Sequence, residues 1–353
     1  MTRNFYVGTY TQSGSDGKVT GSRGIYLGRL DLETGKAELS PCAEESRNPS
    51  FLSVSPGGQF LLAANELPEG GALDVYAIGP EGGLTFVSRK PLTGADCCHV
   101  GWSPDGAFVT GVHYSSGDVF TCAVDGRGRL GEIVSAFSYE GCGPVKDRQE
   151  RAHAHSMRLM DALRLAVVCD LGTDKLMLYH YEPSGRLAPA GEVKLPAGCG
   201  PRHTEISGNG KILYVACELS SEILVLEYSG GTYSFRQRIS MLPEGWAGEN
   251  TGADLHLSAD GKFLYSSNRG HDSICRFRVH EDGTLCRLEN TPCGGECPRN
   301  FAVAGEFLLC ANQTSGNLTV YRILPDGSVG PRTDDRAVPV PVCIAFLSDG
   351  TAS

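Results

Sequence analysis

Histidines, arginines and carboxylates recur in this sequence at one kind of place, the polar end of a short apolar stretch. His99, His153, His155, Arg202-His203, Asp254 and Arg299-Asn300 open such stretches, as does Asn48. Thr9, Asn65-Glu66, His113, Asp170, Glu218, Asn268-Arg269 and Asn312-Gln313 close others. Taken singly, each is an ordinary solvated strand end. Together they offer histidines that accept a proton near neutral pH and carboxylates that orient or exchange protons. They also offer guanidiniums, whose fixed fork of donors suits an anion or a developing oxyanion. Such a set does useful chemistry only if residues far apart in the chain are brought to one place.

A repeat supplies the means. Asn48-Pro-Ser-Phe-Leu-Ser-Val-Ser-Pro-Gly-Gly-Gln-Phe-Leu-Leu-Ala-Ala-Asn-Glu66 resembles the segments running from His99 to His113, Arg202 to Glu218 and Ala253 to Arg269, with weaker copies from His155 to Asp170 and from Arg299 to Asn312. Each copy is an apolar strand, a Pro/Asp/Gly turn and a second strand rich in Leu, Val and Tyr, the pattern of a β-hairpin. A second strand pair follows every hairpin, with turn glycines at Gly35, Gly83, Gly128, Gly185, Gly231, Gly283 and Gly327. Four strands every ~40–50 residues is the period of a propeller blade. The ends read as a split hairpin. Pro341–Leu347 with Ser348-Asp349-Gly350 is a first strand and its turn, and Phe5-Tyr6-Val7-Gly8-Thr9 is a second strand with nothing before it. The expected architecture is all-β: a seven-bladed β-propeller of four-stranded antiparallel blades, residues 1–353 as a single domain, closed by pairing the N- and C-terminal strands in one blade. With first strands innermost, the polar strand ends converge on one mouth of the central channel, which becomes the expected binding site.

Composition narrows the function. Glycine contributes 46 of 353 residues, about double the usual ~7%, as many tight turns require. The 31 basic against 41 acidic side chains give a net charge of −10, so nucleic acid is not an expected partner. An anionic ligand would need a local cluster of Arg or Lys set against that field. No run approaches the ~18 apolar residues of a membrane span, and the N-terminus lacks an apolar signal core. A cytoplasmic protein with reduced thiols, monomeric or homodimeric, is expected. His153 and His155 are spaced to share a strand face, but no second ligand pair accompanies them. Cys97-Cys98-His99 and Cys293-Gly-Gly-Glu-Cys297 read as packed or loop thiols. No metal and no cofactor are expected. Gly-x-Ser-x-Gly is absent, which removes the nucleophile of an α/β-hydrolase.

Tyr6-Val-Gly-Thr-Tyr-Thr11, Asn48-Pro-Ser-Phe-Leu52, His153-Ala-His-Ser156, Gly200-Pro-Arg-His203, Ser267-Asn-Arg-Gly270 and Cys297-Pro-Arg-Asn-Phe301, set in that blade pattern, resemble the lactonase family of seven-bladed propellers. That family includes bacterial 6-phosphogluconolactonases and is similar to the carboxymuconate-cyclising propellers. The resemblance covers essentially the whole chain and rests on no single motif. It implies metal-independent hydrolysis of 6-phospho-glucono-1,5-lactone, a small anionic sugar lactone of the pentose phosphate route. It also implies catalytic roles for His155, Glu218, Arg202 and Arg269. His155 is the first choice of base, with Glu218 orienting it or serving instead, and Arg202 and Arg269 stabilise the oxyanion or hold the phosphate. His153, His203, Arg299, Asn65, His99 and Asn268 are the expected substrate-binding residues. Two features depart from the family pattern: Cys217 precedes Glu218 where Asn is usual, and the turn Met160-Asp161-Ala162 lacks Pro-Asp-Gly.

The same residues would serve a cycloisomerase or a lactonase of the muconate type. A non-catalytic binding propeller is the alternative of another class, because fold alone does not fix function. The insert Glu140–Arg151, carrying Lys146, Arg148 and Arg151, is either a solvated loop or a cover for the site.

Overall fold

The repeated turns are built from side chains that satisfy their own backbone. In the segment Ser103–Phe108 the Ser103 hydroxyl donates to Asp105 Oδ1 (2.7 Å) and accepts from the Phe108 amide (3.0 Å). Gly106 closes the turn in the left-handed region at φ 72°. Ser207-Asn209-Gly210 and Ser258-Asp260-Gly261 repeat this arrangement. The atypical turn at Asp161–Leu163 is a single 3-10 turn that ends on Arg164 at φ 49°. In the second strand pairs the left-handed glycine is Gly82, not the expected Gly83.

A computed structural model describes residues 1–13 and 17–347; the expected turn Ser348-Asp349-Gly350 lies outside them. It contains seven four-stranded antiparallel sheets and a short ribbon pairing Gln12–Ser13 with Lys18–Val19. Blade 1 joins Pro341–Phe346 to Thr2–Thr9, Ile25–Asp31 and Ala37–Ala43. The C-terminal strand thus supplies the inner strand of a blade begun at the N-terminus, with Val7 opposite Ile344 and Phe5 opposite Phe346. The inner strands of blades 2 to 7 are Pro49–Val54, Cys97–Trp102, Ala154–Met160, Pro201–Ile206, Thr251–Leu257 and Pro298–Ala304.

Side-chain alternation places one face of each blade against each neighbour. Seven apolar clusters result, one per blade junction. Leu213, Val215 and Leu224 of blade 5 pack on blade 4, whereas Tyr214, Ala216 and Ile223 pack on blade 6. Phe5 and Val7 meet Leu309 and Val320 at the closing junction between blades 7 and 1.

Every inner strand carries a β-bulge near its start. Pro49 pairs Asn65 but Phe51 pairs Ala64, leaving Ser50 unpaired. The same slip leaves Cys98, His155, Arg202, Arg299 and Val342 as the extra residue, and falls at Ala253-Asp254 in blade 6. A bulge re-aims the side chain it contains. Four of the extra residues, Cys98, His155, Arg202 and Arg299, are therefore ionisable, and Cys98, His155 and Arg299 line the channel mouth.

Candidate active site

The mouth is a cavity of about 390 Å³ whose walls include His155, Glu218, Arg269, Arg299, Arg148, Tyr10, Tyr114 and Glu66. Glu218 sits one residue past the second strand of blade 5 and is the hub. Its Oε2 receives Arg202 Nε at 3.0 Å and Arg269 Nη2 at 2.8 Å, and its Oε1 receives Arg148 Nη2. Glu218 and Arg202 are both almost wholly buried. Burial alone would raise the Glu218 pKa, but Arg269, Arg202, His155 and Arg148 outweigh it and hold the carboxyl well below the usual range. Burial, then Arg269 and Arg299, bring the Arg202 pKa down to about 10.

His155 presents Nε2 to Glu218 Oε2 across 3.9 Å. That spacing would suit an ion pair, yet burial, then Arg202 and His203, push its pKa well below 6.5. Burial and the nearby Arg202 guanidinium hold the imidazole in its neutral form against the pull of Glu218. Its Nδ1 has no hydrogen-bond partner. At 3.9 Å Nε2 is also outside hydrogen-bonding range, so a basic nitrogen is left unsaturated at the cavity.

Arg299 lies over the Tyr10 ring, 5.6 Å from its centroid, while Tyr10 Oη donates to Glu66 Oε2 at 2.9 Å. Its guanidinium makes no hydrogen bond or ion pair with the described residues. The insert does cover one side of the site. Gln149, fully buried, donates to Asp174 Oδ1 and to the Leu171 carbonyl, both at 2.8 Å, which anchors the loop and presents Arg148.

Of the expected residues, the structure thus gathers His155, Glu218, Arg202, Arg269 and Arg299. The other five lie elsewhere. Asn65 donates to Ser46 Oγ and the Arg47 carbonyl, and Asn268 to the Met241 carbonyl and Ser273 Oγ. Both are buried anchors that tie a second strand to the loop entering its blade, and neither lines the cavity. His153 stacks on Tyr114 with ring centroids 4.4 Å apart, and its nitrogens face the Tyr114 carbonyl and Glu150. The bulge at His155 ends the alternation, so the two histidines take different partners. His203 and His99 line a separate cavity of about 150 Å³ deeper in the channel. There His203 Nδ1 lies 2.8 Å from Asp254, which also holds His256 at 3.0 Å. Burial and Arg202 lower the His203 pKa to about 4. His256 is raised to about 10 because Asp254 and Glu205 outweigh its burial.

Tyr10, Tyr114 and Glu66 line the mouth but were not among the expected site residues. The sequence does hold a signal for them. In repeat register Tyr10, Glu66, Tyr114, Glu218 and Gln313 all stand one place beyond the last residue of a second strand, and Arg269 is the last residue of its own. Cys98 lines the cavity as well, and burial, with Glu66 and Cys97, raises its pKa well above 9. It is a thiol and not a thiolate nucleophile. Among the described residues no group of three or more His, Cys, Asp and Glu is arranged to hold a metal ion.

A ring of seven blades with a histidine, two carboxylates and three guanidiniums lining one mouth, and a fourth guanidinium, Arg202, paired with Glu218, defines a seven-bladed propeller with a cavity of ionisable groups at one end of its channel. The chain belongs to the lactonase family of seven-bladed β-propellers, whose model matches residues 4–346. It is 33% identical over 349 residues to a 6-phosphogluconolactonase of Bacillus subtilis, covering 97% of both chains. A 6-phosphogluconolactonase of Formosa agariphila is 31% identical over 329 residues, covering 90% of this chain and 91% of its own. The crystal structure of the periplasmic gluconolactonase PpgL of Pseudomonas aeruginosa superposes with a TM-score of 0.91 at 30% identity, covering 99% of both chains.

Proposed function

We propose that the chain hydrolyses a six-membered sugar lactone bearing an anionic group, with 6-phospho-glucono-1,5-lactone as the substrate. The observation that carries this reading is the unpaired Arg299 guanidinium in a mouth lined by three guanidiniums and two carboxylates, within a protein of net charge −10. Arg299 is half-buried, so its free donors are open to a ligand, and a phosphate meets them in the geometry that guanidinium favours.

In this reading His155 Nε2 takes a proton from water as the water oxygen bonds to the lactone C1. Negative charge develops on the carbonyl oxygen, where Arg202 and Arg269 stabilise it. The bond from C1 to the ring oxygen then breaks, and the protonated His155 returns its proton to the departing alkoxide, leaving the aldonic acid, which ionises to the aldonate by giving its proton to water. Glu218, whose lone pairs are engaged by three arginines, holds those arginines in place and is not the base. Arg299, with Arg148 from the insert, takes the phosphate. A single domain over residues 1–353, a cytoplasmic location and a monomer or homodimer acting without nucleic acid belong to the same reading. The unpaired cysteines support a reducing compartment.

Ring opening of freshly prepared 6-phosphoglucono-1,5-lactone, followed against its spontaneous rate, tests the proposal. Wild type should accelerate it strongly, and His155→Ala should lower kcat by about 10²–10⁴ with an unchanged thermal melt. Folded wild-type protein that gives no acceleration overturns the reading.

A further inference from the structure

Beside the guanidinium-lined cavity, and joined to it through Tyr10, Glu66 and Tyr114, lies a hollow of about 490 Å³. It is larger than the catalytic half. Small-molecule sites span ~300–1,000 Å³, so each half alone has the capacity of a ligand site. A monosaccharide lactone held at His155 and Arg202 leaves the second half empty.

The chemistry of the two halves differs. Among the described residues the annexe has no arginine or lysine in its walls, which include Gln12, Asn48, Asp96, Ser115 and Gln313 with the two tyrosines and Glu66. Asp96 Oδ2 accepts from Ser115 at 2.5 Å and Glu66 Oε2 from Tyr10 at 2.9 Å. The second carboxylate oxygen of each, and the side-chain amide nitrogens of Gln12 and Gln313, take no hydrogen bond from or to the described residues. Free acceptors, free amide donors and tyrosine rings with an apolar body and a polar tip suit a ligand that both donates and accepts and carries no charge. The two carboxylates would repel a second anion. A neutral sugar ring has those properties.

We infer that the mouth accepts a second class of substrate, aldono-1,5-lactones bearing an O-glycosidically linked neutral sugar. The lactone lies at the guanidinium end and the second ring between Tyr10, Tyr114, Asp96 and Gln313. The inference rests on the lactone-hydrolase reading above and extends the same site.

Cellobiono-1,5-lactone, glucono-1,5-lactone and 6-phosphoglucono-1,5-lactone are compared as substrates of the full chain. The expected result is a kcat/KM at least tenfold higher for cellobiono- than for glucono-1,5-lactone, carried mainly by a lower KM. The double variant Asp96→Asn/Gln313→Ala should pull that ratio back towards one. Gln12→Ala, checked by its thermal melt, serves if the double variant does not fold. If cellobiono-1,5-lactone is no better than glucono-1,5-lactone while the phosphorylated lactone is hydrolysed, the inference falls and the lactonase reading stands. A ratio that survives both variants places the second ring elsewhere and also overturns it. Failure with all three substrates removes the lactonase reading itself.

Discussion

A buried carboxylate is tolerable only when its charge is met, and Glu218 meets three guanidiniums. The consequence falls on His155, which stands beside a negative charge already spent and next to the positive charge of Arg202. Burial first, then Arg202, act against protonation and outweigh the pull of Glu218, so the His155 pKa falls well below its ordinary 6.5. A base must be unprotonated to work, so activity should be full above the His155 pKa and decline only as pH falls through it. The acid limb of kcat/KM is therefore expected below pH 6.5. A limb centred at or above 6.5 in the pH-rate profile would contradict this electrostatic account. The residue types were readable in the sequence, and so was the choice of His155, Arg202, Glu218, Arg269 and Arg299 as residues that share a place. Asn65 and Asn268 stand next to residues that line the mouth, Glu66 and Arg269, without lining it themselves. Each asparagine ties back to the loop entering its blade, and the residue after it, Glu66 or Arg269, faces the mouth.

At the level of the element, the inner-strand bulge and the anchored insert set the geometry. His155 reaches the cavity because its strand slips register between Ala154 and Ser156, and simple alternation from the sequence puts it instead on a common face with His153. Gly172 guards this region. A Cβ there would lie 1.9 Å from the Arg151 carbonyl oxygen and 2.6 Å from the His153 amide. Both are backbone atoms that cannot rotate aside. Gly172→Ala should thus displace the end of the insert together with the strand that carries His155. The expected outcome is at least a tenfold loss in kcat/KM, with a stability loss of about 1–3 kcal/mol as for other overpacked sites. Urea unfolding and steady-state kinetics on the same preparation check both parts, and unchanged kinetics would show that the insert is not coupled to the site. The sequence marked residues 140–151 as either a solvated loop or a cover. What decides between them is the burial of Gln149, a contact with Asp174 that no local pattern reveals.

Across the whole molecule, stability comes from seven junctions of similar kind, and the ring is only as closed as the junctions that blade 1 makes. Ile344 packs into the junction with blade 7, and Cys343 into the junction with blade 2. A chain ending at Val340 would lose the inner strand of blade 1, weaken two junctions and expose the edge of Thr2–Thr9, whose backbone groups now pair with that strand. Such a truncation should unfold at lower urea concentration than the full chain and aggregate on warming, as circular dichroism and light scattering would register. An unaltered midpoint would mean that closure contributes little.

The sequence alone determined the sevenfold hairpin repeat, the split blade and the set of ionisable strand ends, because strand periodicity, turn chemistry and repeat register are local and leave a pattern in every copy. Tertiary structure decided which of those ends face the mouth, which anchor a blade junction and which sink into the lower channel with His203 and Asp254. It also placed Arg148 on Glu218. These outcomes depend on one-residue register slips and on charges meeting across blades, and neither distance nor electric field is encoded at any single position of the chain.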